Sequence, residues 1–213
     1  ARMFERVERA QREEALLLDV VSSITSEILL DPLLEKILAA ATQLLGADRG
    51  ALFIHDPATG ELWSRVVEGE VSREIRFPAN AGIAGECFTT GARINIDDAY
   101  ADPRFNPDVD KGTGYRTRNI LCMPITTKGG NKVGVMEILN KKKGPFTAAD
   151  QRRLAALCAQ AAVSIENAQL FEDVSNSRNY NESILRSMSN GVLTLDAANT
   201  ISKVNPSALR ILQ

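Results

Sequence analysis

Several residues in this sequence have types and spacing that could do chemistry. Gly82 and Gly85 bracket Ile83-Ala84 at what reads as a helix start. Glycine lets backbone come close to a ligand, and the free N–H groups and positive dipole end of a helix start favour an anion. The same spacing also serves a tight turn. Asp110, Thr113 and Thr117, with Gly112 and Gly114 among them, put one carboxylate and two hydroxyls on pliable backbone. That set suits a phosphate or a sugar hydroxyl, and it equally suits a polar surface loop. Glu137 interrupts the apolar run of Val133, Val135, Met136, Ile138 and Leu139. An unpaired buried carboxylate is costly, so Glu137 should be exposed, bound to a ligand donor, or held in a salt bridge.

Catalytic and metal chemistry find less support. The single histidine, His55, ends a strand-like run, and no Ser or Cys nucleophile has a partner in a recognisable frame. Asp97, Asp98, Asp102, Asp108 and Asp110 match no calcium-loop spacing and read as solvated loop charges. Cys87, Cys122 and Cys158 are odd in number and form no CxxC, which argues against a disulfide framework or a zinc site and for reduced thiols. No cofactor and no metal are expected, and the segment itself reads as non-catalytic.

Composition sets the outer bounds. The 213 residues are 44% hydrophobic and 24% charged, enough for a sizeable core. With 25 basic against 27 acidic side chains the formal charge is -2, so no net field draws the chain to nucleic acid or an anionic membrane. No apolar run approaches a membrane span and no leader opens the sequence, so a cytoplasmic location is expected.

The elements that must position these residues follow from periodicity. Arg2 to Leu30 lacks Gly and Pro, and Leu17, Val21, Ile24 and Ile28 repeat like a coiled-coil seam, which predicts a dimerisation helix over residues 1–32. Asp31-Pro32 reads as the cap of a second helix, Leu33 to Leu45, stopped by Gly46. Strands are predicted at Arg49–His55, Leu62–Val67 and Val71–Phe77, then a short helix from Ala81 to Gly91. An irregular stretch, Asp97 to Arg118, is long enough to be a ligand cover. Strands at Asn119–Thr127 and Lys132–Leu139 follow, and Thr147 caps a long helix reaching about Asn190. The fold class is α+β: an antiparallel sheet with helices packed on one side, between long terminal helices.

The runs Phe77-Pro78-Ala79-Asn80-Ala81-Gly82-Ile83-Ala84-Gly85, Thr90-Gly91, Asn95 to Tyr100 and Gly114 to Ile125 resemble the GAF domains of cyclic nucleotide phosphodiesterases and cyanobacterial-type class III adenylate cyclases. Asn140-Lys141, Phe146 and Asp150 are similar to that subfamily's Asn-Lys, Phe, Asp-Glu signature, with Gln151 where the final Glu stands. The resemblance covers residues 33–172 and implies that Lys141 and Asp150 brace the fold as an ion pair. It places ligand contacts at Ala51, Val67, Glu68, Ile83, Ala84, Asn106, Asp110, Thr113, Thr117 and Glu137. Ile83, Ala84 and Asn106 would contribute backbone, Thr113 and Thr117 hydroxyls. The ligand implied is cAMP or cGMP: Glu68 keeps an acceptor for guanine, Val67 lacks the aromatic expected beside it, and the overall layout favours cAMP.

Some relatives of this kind tether a bilin through Cys, but the short helix around Cys87 and the absence of a neighbouring His argue against that. Residues 173–190 would connect to residues 191–213, which resemble the opening of a PAS domain, so the sequence reads as a fragment of a longer protein. The implied role is a regulatory domain of a multidomain enzyme, an adenylate cyclase first, acting as a parallel homodimer. The alternative is a GAF dimerisation or sensor module of a histidine kinase or diguanylate cyclase that binds another small molecule or none.

Overall fold

The computed structural model describes residues 24, 27–64 and 74–211, which divide into two compact units at Ala168/Gln169. In the first, six antiparallel strands lie in the order β3-β2-β1-β6-β5-β4. They are β1 (Ala47–Asp56), β2 (Glu61–Ser64), β3 (Ile75–Pro78), β4 (Ile94–Ile96), β5 (Ile120–Thr126) and β6 (Lys132–Lys141). The central strands are apolar on both sides, as their unbroken hydrophobic runs require, and the alternation sorts them onto two faces.

One face bears the two long helices, α1 (Leu30–Leu45) and α4 (Ala148–Ser187). Leu52, Ile54, Leu121, Met123, Met136 and Ile138 meet Leu34, Ile37, Leu154, Leu157 and Ile165 there, each nearly inaccessible to water. Each such side chain contributes about 1.5–3 kcal/mol of burial, which makes this layer the main store of stability. The other face carries the short helices α2 (Gly82–Thr90) and α3 (Pro107–Thr113) and the segments around them. The long helices thus share one side as expected, while the short ones cover the opposite side.

Several local expectations shift. Helix α1 starts at Leu30 with Leu29 at the cap, so Asp31 lies inside the first turn rather than capping it. Glu27 accepts from the Leu29 N–H at 3.4 Å and from Lys36 Nζ at 2.6 Å. Ile24 is helical and packs into the core, but residues 27–29 are not helical and Ile28 is exposed, so the helix expected over residues 2–30 is interrupted there. Leu17 and Val21 lie outside the described residues. Asp97–Arg118 is not wholly irregular: a 3-10 turn spans Ala99–Ala101, and Asn106 caps α3 by accepting from the Asp108 N–H at 3.0 Å, with Pro107 at the first helical position. Strand β4 also emerges, paired only with β5.

In the second unit, β7 (Leu193–Leu195) and β8 (Ile201–Val204) form a hairpin, followed by α5 (Pro206–Ile211). Buried Asn205 caps α5 by accepting from the Ala208 N–H at 2.9 Å, accepts from Val192 N–H at 2.8 Å, and donates to the carbonyls of Leu185 and Asn190. No helix among the described residues is long and apolar enough to cross a membrane.

Candidate ligand site

The face opposite the long helices is where the candidate residues gather. Ala51, Glu137 and Cys122 stand side by side across β1, β6 and β5, because Ala51 pairs with Glu137 and Glu137 with Cys122. Paired residues share a face, so this row looks toward α2, which packs across β5 and β6. Ile83 and Ala84, from the first turn of α2, are buried in one apolar cluster with Ala51, Phe53, Cys122 and Val135. The sheet centre therefore meets a helix start over an apolar floor with a single carboxylate in it.

That carboxylate is the unusual feature. Glu137 is half-buried, and the protein closes around its carboxyl so nearly that burial pushes it from 4.5 up to about 7. The Cys122 thiol hydrogen-bonds to it and pulls the other way, too weakly to offset the burial. Among the described residues no cation pairs with Glu137, so the salt-bridge alternative is not realised there. Cys122 itself, fully buried, is pushed well up by desolvation. All three cysteines are free and buried.

Both glycines at the α2 start have local structural reasons. Gly82 adopts φ 64°, and a Cβ on Gly85 would sit 2.5 Å from the Asn80 carbonyl carbon. The turn closes through Ala81 N–H to Pro78 O at 2.9 Å and Gly85 N–H to Ala81 O at 3.0 Å. No side chain caps the helix, since Ala81 occupies the cap position. The tight turn thus leaves a helix end without the anionic or hydroxyl cap that many helices carry.

Asp110 and Thr117 are brought together, but on each other. The Thr117 N–H and hydroxyl donate to the two Asp110 carboxylate oxygens at 2.7 and 2.8 Å, and the Tyr100 hydroxyl adds a third bond at 2.9 Å. Asp110 is 5% exposed, so it is no solvated loop charge. With its proton committed inward, Thr117 offers a ligand only hydroxyl lone pairs. Three other acidic residues of this stretch are also engaged: Asp98 caps the 3-10 turn, Asp102 pairs with Arg104, and Asp108 pairs with Lys111. The Arg104 bonds hold the Asp102 carboxyl down at about 2. No cluster able to hold a metal exists among the described residues.

Asn106 lies apart, exposed, with its side chain used as the α3 cap. Thr113 ends α3, and its side chain, like Val67 and Glu68, lies outside what the structure describes. Tyr100 escapes a reading by spacing because it meets Asp110 through tertiary folding, ten positions apart, with Arg116 stacked over its ring at 4.7 Å. Replacing Asp110 with Ala strips three donors of their shared acceptor. Amide exchange around Thr117 should then accelerate about 10- to 100-fold, as expected for losing one or two strong bonds. Unchanged protection by mass-spectrometric exchange would show that the network does not hold the segment.

The signature residues are structural. Asn140, 1% exposed and at φ 55°, accepts from the Arg118 N–H at 2.6 Å and donates to Arg116 O at 2.8 Å, pinning the segment that bears Thr117. Next to it, Lys141 Nζ donates to Asp150 Oδ2. Asp150 also accepts from the Thr147 N–H and hydroxyl, each at 2.7 Å, while the Thr147 hydroxyl accepts from the Asp150 N–H at 3.3 Å, a reciprocal capping box. Phe146 is buried against the α1–α4 layer, and its carbonyl accepts from Asn95 Nδ2 at 3.1 Å.

A six-stranded antiparallel sheet with long helices packed on one face and a second apolar cluster on the other defines an α+β domain. The chain belongs to the GAF domain family, whose profile matches residues 29–165. It is 32% identical over 94% of its length to a probable 3′,5′-cyclic phosphodiesterase of Caenorhabditis elegans. It is 36% identical over 75% of its length to a dual 3′,5′-cyclic-AMP and -GMP phosphodiesterase of Drosophila melanogaster. The chain spans only 29% and 12% of those two proteins. Among solved structures, the GAF domain of a phosphoenolpyruvate-protein phosphotransferase from Coxiella burnetii superposes with a TM-score of 0.67 at 21% identity, covering 77% of this chain and 98% of that one. The corresponding Acinetobacter domain gives 0.63 at 19% identity, covering 75% and 95%. These structural likenesses speak to the fold.

Proposed function

We propose that this chain is a regulatory cyclic-nucleotide-binding GAF domain, with cAMP favoured over cGMP, in a multidomain signalling enzyme. The observation that carries the reading is Glu137: an uncompensated carboxyl in the apolar face opposite an uncapped helix start. A cyclic nucleotide answers both features. Its phosphate suits the α2 N-terminus and a ribose hydroxyl suits Glu137. Its flat base suits the apolar surface of Ala51, Ile83 and Ala84. The names of the two phosphodiesterase relatives support the same ligand class.

For the parent protein, an adenylate cyclase is favoured by the layout of a GAF domain, a long helix and a strand-strand-helix unit that resembles the opening of a PAS domain. A phosphodiesterase is the second reading, favoured by the relatives. Ligand binding passes to the output through paired helices of a parallel homodimer, limited by the difference in the ligand's affinity for the two states.

Calorimetric titration of the chain with cAMP and with cGMP tests the ligand. Saturable heat is expected with both, stronger with cAMP, and weakened in Thr117→Ala and Glu137→Ala. Absence of heat with either nucleotide would sink the proposal.

A further inference from the structure

Among the described residues the polar side chain that meets Glu137 is Cys122, directly opposite it on β5, whose thiol donates to the carboxyl. Residues paired across antiparallel strands have Cβ atoms about 4.5–5.5 Å apart, within reach of a thiol and a carboxyl. The two partners differ in freedom. Cys122 is fully buried and turns about one side-chain bond, so its sulfur has a fixed place, whereas Glu137 has three such bonds on a half-buried apolar surface. Behind Cys122 stands Cys87 of α2, fully buried in the same cluster, its thiol in hydrogen-bond contact with that of Cys122. A thiol has one proton to give. The carboxylate is the stronger acceptor, so the Cys122 proton goes to Glu137 and Cys87 donates to the Cys122 sulfur. Two thiols thus run in a string from α2 through β5 to Glu137 on β6. Among the described residues no charge competes for that carboxyl. Next to it β1 presents Ala51, and α2 presents Ile83 and Ala84, while the Glu86 of α2 is paired with Arg104 at 3.0 Å. Asp110 of α3 is committed to Thr117 and Tyr100, and Cys158 lies on the other face of the sheet.

We propose that Cys122 is the positioning residue of this site: its fixed thiol tethers one oxygen of Glu137 and leaves the other for a ligand hydroxyl. A thiol suits the task because it is a weak donor. A hydroxyl in its place would hold the carboxylate harder and draw on its strength as an acceptor, and an apolar side chain would leave the carboxyl untethered. Because the thiol bonds the ionised form, it also sets how early Glu137 ionises. The proposal rests on the cyclic-nucleotide reading and adds to that site a residue that acts through Glu137.

Carbon-13 NMR titration of the Glu137 carboxyl in the ligand-free 213-residue chain tests it, with Glu137→Gln identifying the signal. The wild-type midpoint is expected at about 7. Cys122→Ala, which has no proton to give, should raise it by about half a pH unit to one unit, and Cys122→Ser, a stronger donor, should lower it by about as much. Ala and Ser leave nearly the same room and differ by one hydroxyl, so opposite signs report the donor, while a change of packing alone moves both the same way. Cys122→Val and Cys122→Thr, matched in shape, form a second pair with the same expected signs should the smaller side chains prevent folding. Shifts of one sign, or shifts below about 0.2 unit, overturn the proposal. In calorimetric titrations with cAMP across pH, the rise in affinity should move with the carboxyl midpoint in each variant. A chain that binds no cAMP yet shows the opposite-signed shifts defeats the cyclic-nucleotide reading and upholds the tether. A chain that binds cAMP with unmoved midpoints defeats the tether alone.

Discussion

Glu137→Gln should stabilise the ligand-free protein at pH 8 by roughly 3 kcal/mol and leave its stability near pH 4 unchanged. Its carboxyl titrates near 4.5 when unfolded and at about 7 when folded, so the native state holds the proton more tightly. Below the unfolded value both states are protonated and nothing is lost. As pH rises toward 7 the unfolded chain releases the proton freely, the folded chain does not, and stability drains until the folded group ionises. A neutral Gln avoids that loss, so urea midpoints of the two proteins should diverge with rising pH. Parallel curves would mean that Glu137 is well solvated.

The same substitution should weaken cyclic-nucleotide binding about 10- to 100-fold, because a carboxylate accepts stronger hydrogen bonds than an amide carbonyl. Wild-type affinity should rise with pH through about 7 and level off roughly a unit above it, as the accepting form becomes fully populated. Opposite signs for stability and binding are what a residue kept for its ligand produces.

Asp150→Ala is the second large effect, and it acts on the fold. It removes the Lys141 partner and the acceptor for Thr147 together, at a position 3% exposed. Breaking one side of a buried ion pair and a helix cap should cost about 3–5 kcal/mol. The urea midpoint should fall with an unchanged slope. A loss below about 1 kcal/mol, the range of exposed pairs, would place this bridge among surface contacts. Burial alone would raise the Asp150 carboxyl, but the bonds from Lys141 and Thr147 outweigh it and hold it below the ordinary aspartate range. Its contribution is therefore complete above that range and is lost as acid brings the pH down through the lowered value.

The sheet was legible because its strands are apolar runs cut by turn residues: Asp56 to Gly60 and Lys128 to Asn131 mark two hairpins where the backbone makes them. The suspicion about Glu137 was legible for the same reason, a charge inside a strand. Helix α3 was signalled by Asn106-Pro107, the same cap-and-proline pairing that starts α5 at Asn205-Pro206, but the surrounding Asp and Gly residues masked it. The Asp110 network was not legible, since burial of a loop carboxylate depends on Tyr100 and Thr117 arriving from either side. At Asp31 the cap signature misled, because the chain enters α1 through Glu27 and Leu29 instead.

Strand β6 carries Glu137 to the ligand face, Asn140 to the segment bearing Thr117, and Lys141 to the capping box of α4, within five consecutive residues. Asn140, at φ 55°, breaks the regular alternation between Glu137 and Lys141 and lets them serve different partners, so one residue added or removed between positions 137 and 141 would upset that placement. In relatives that keep all three roles, this stretch should admit substitutions but no change of length, while the hairpin at Lys128 to Asn131 is free to grow or shrink.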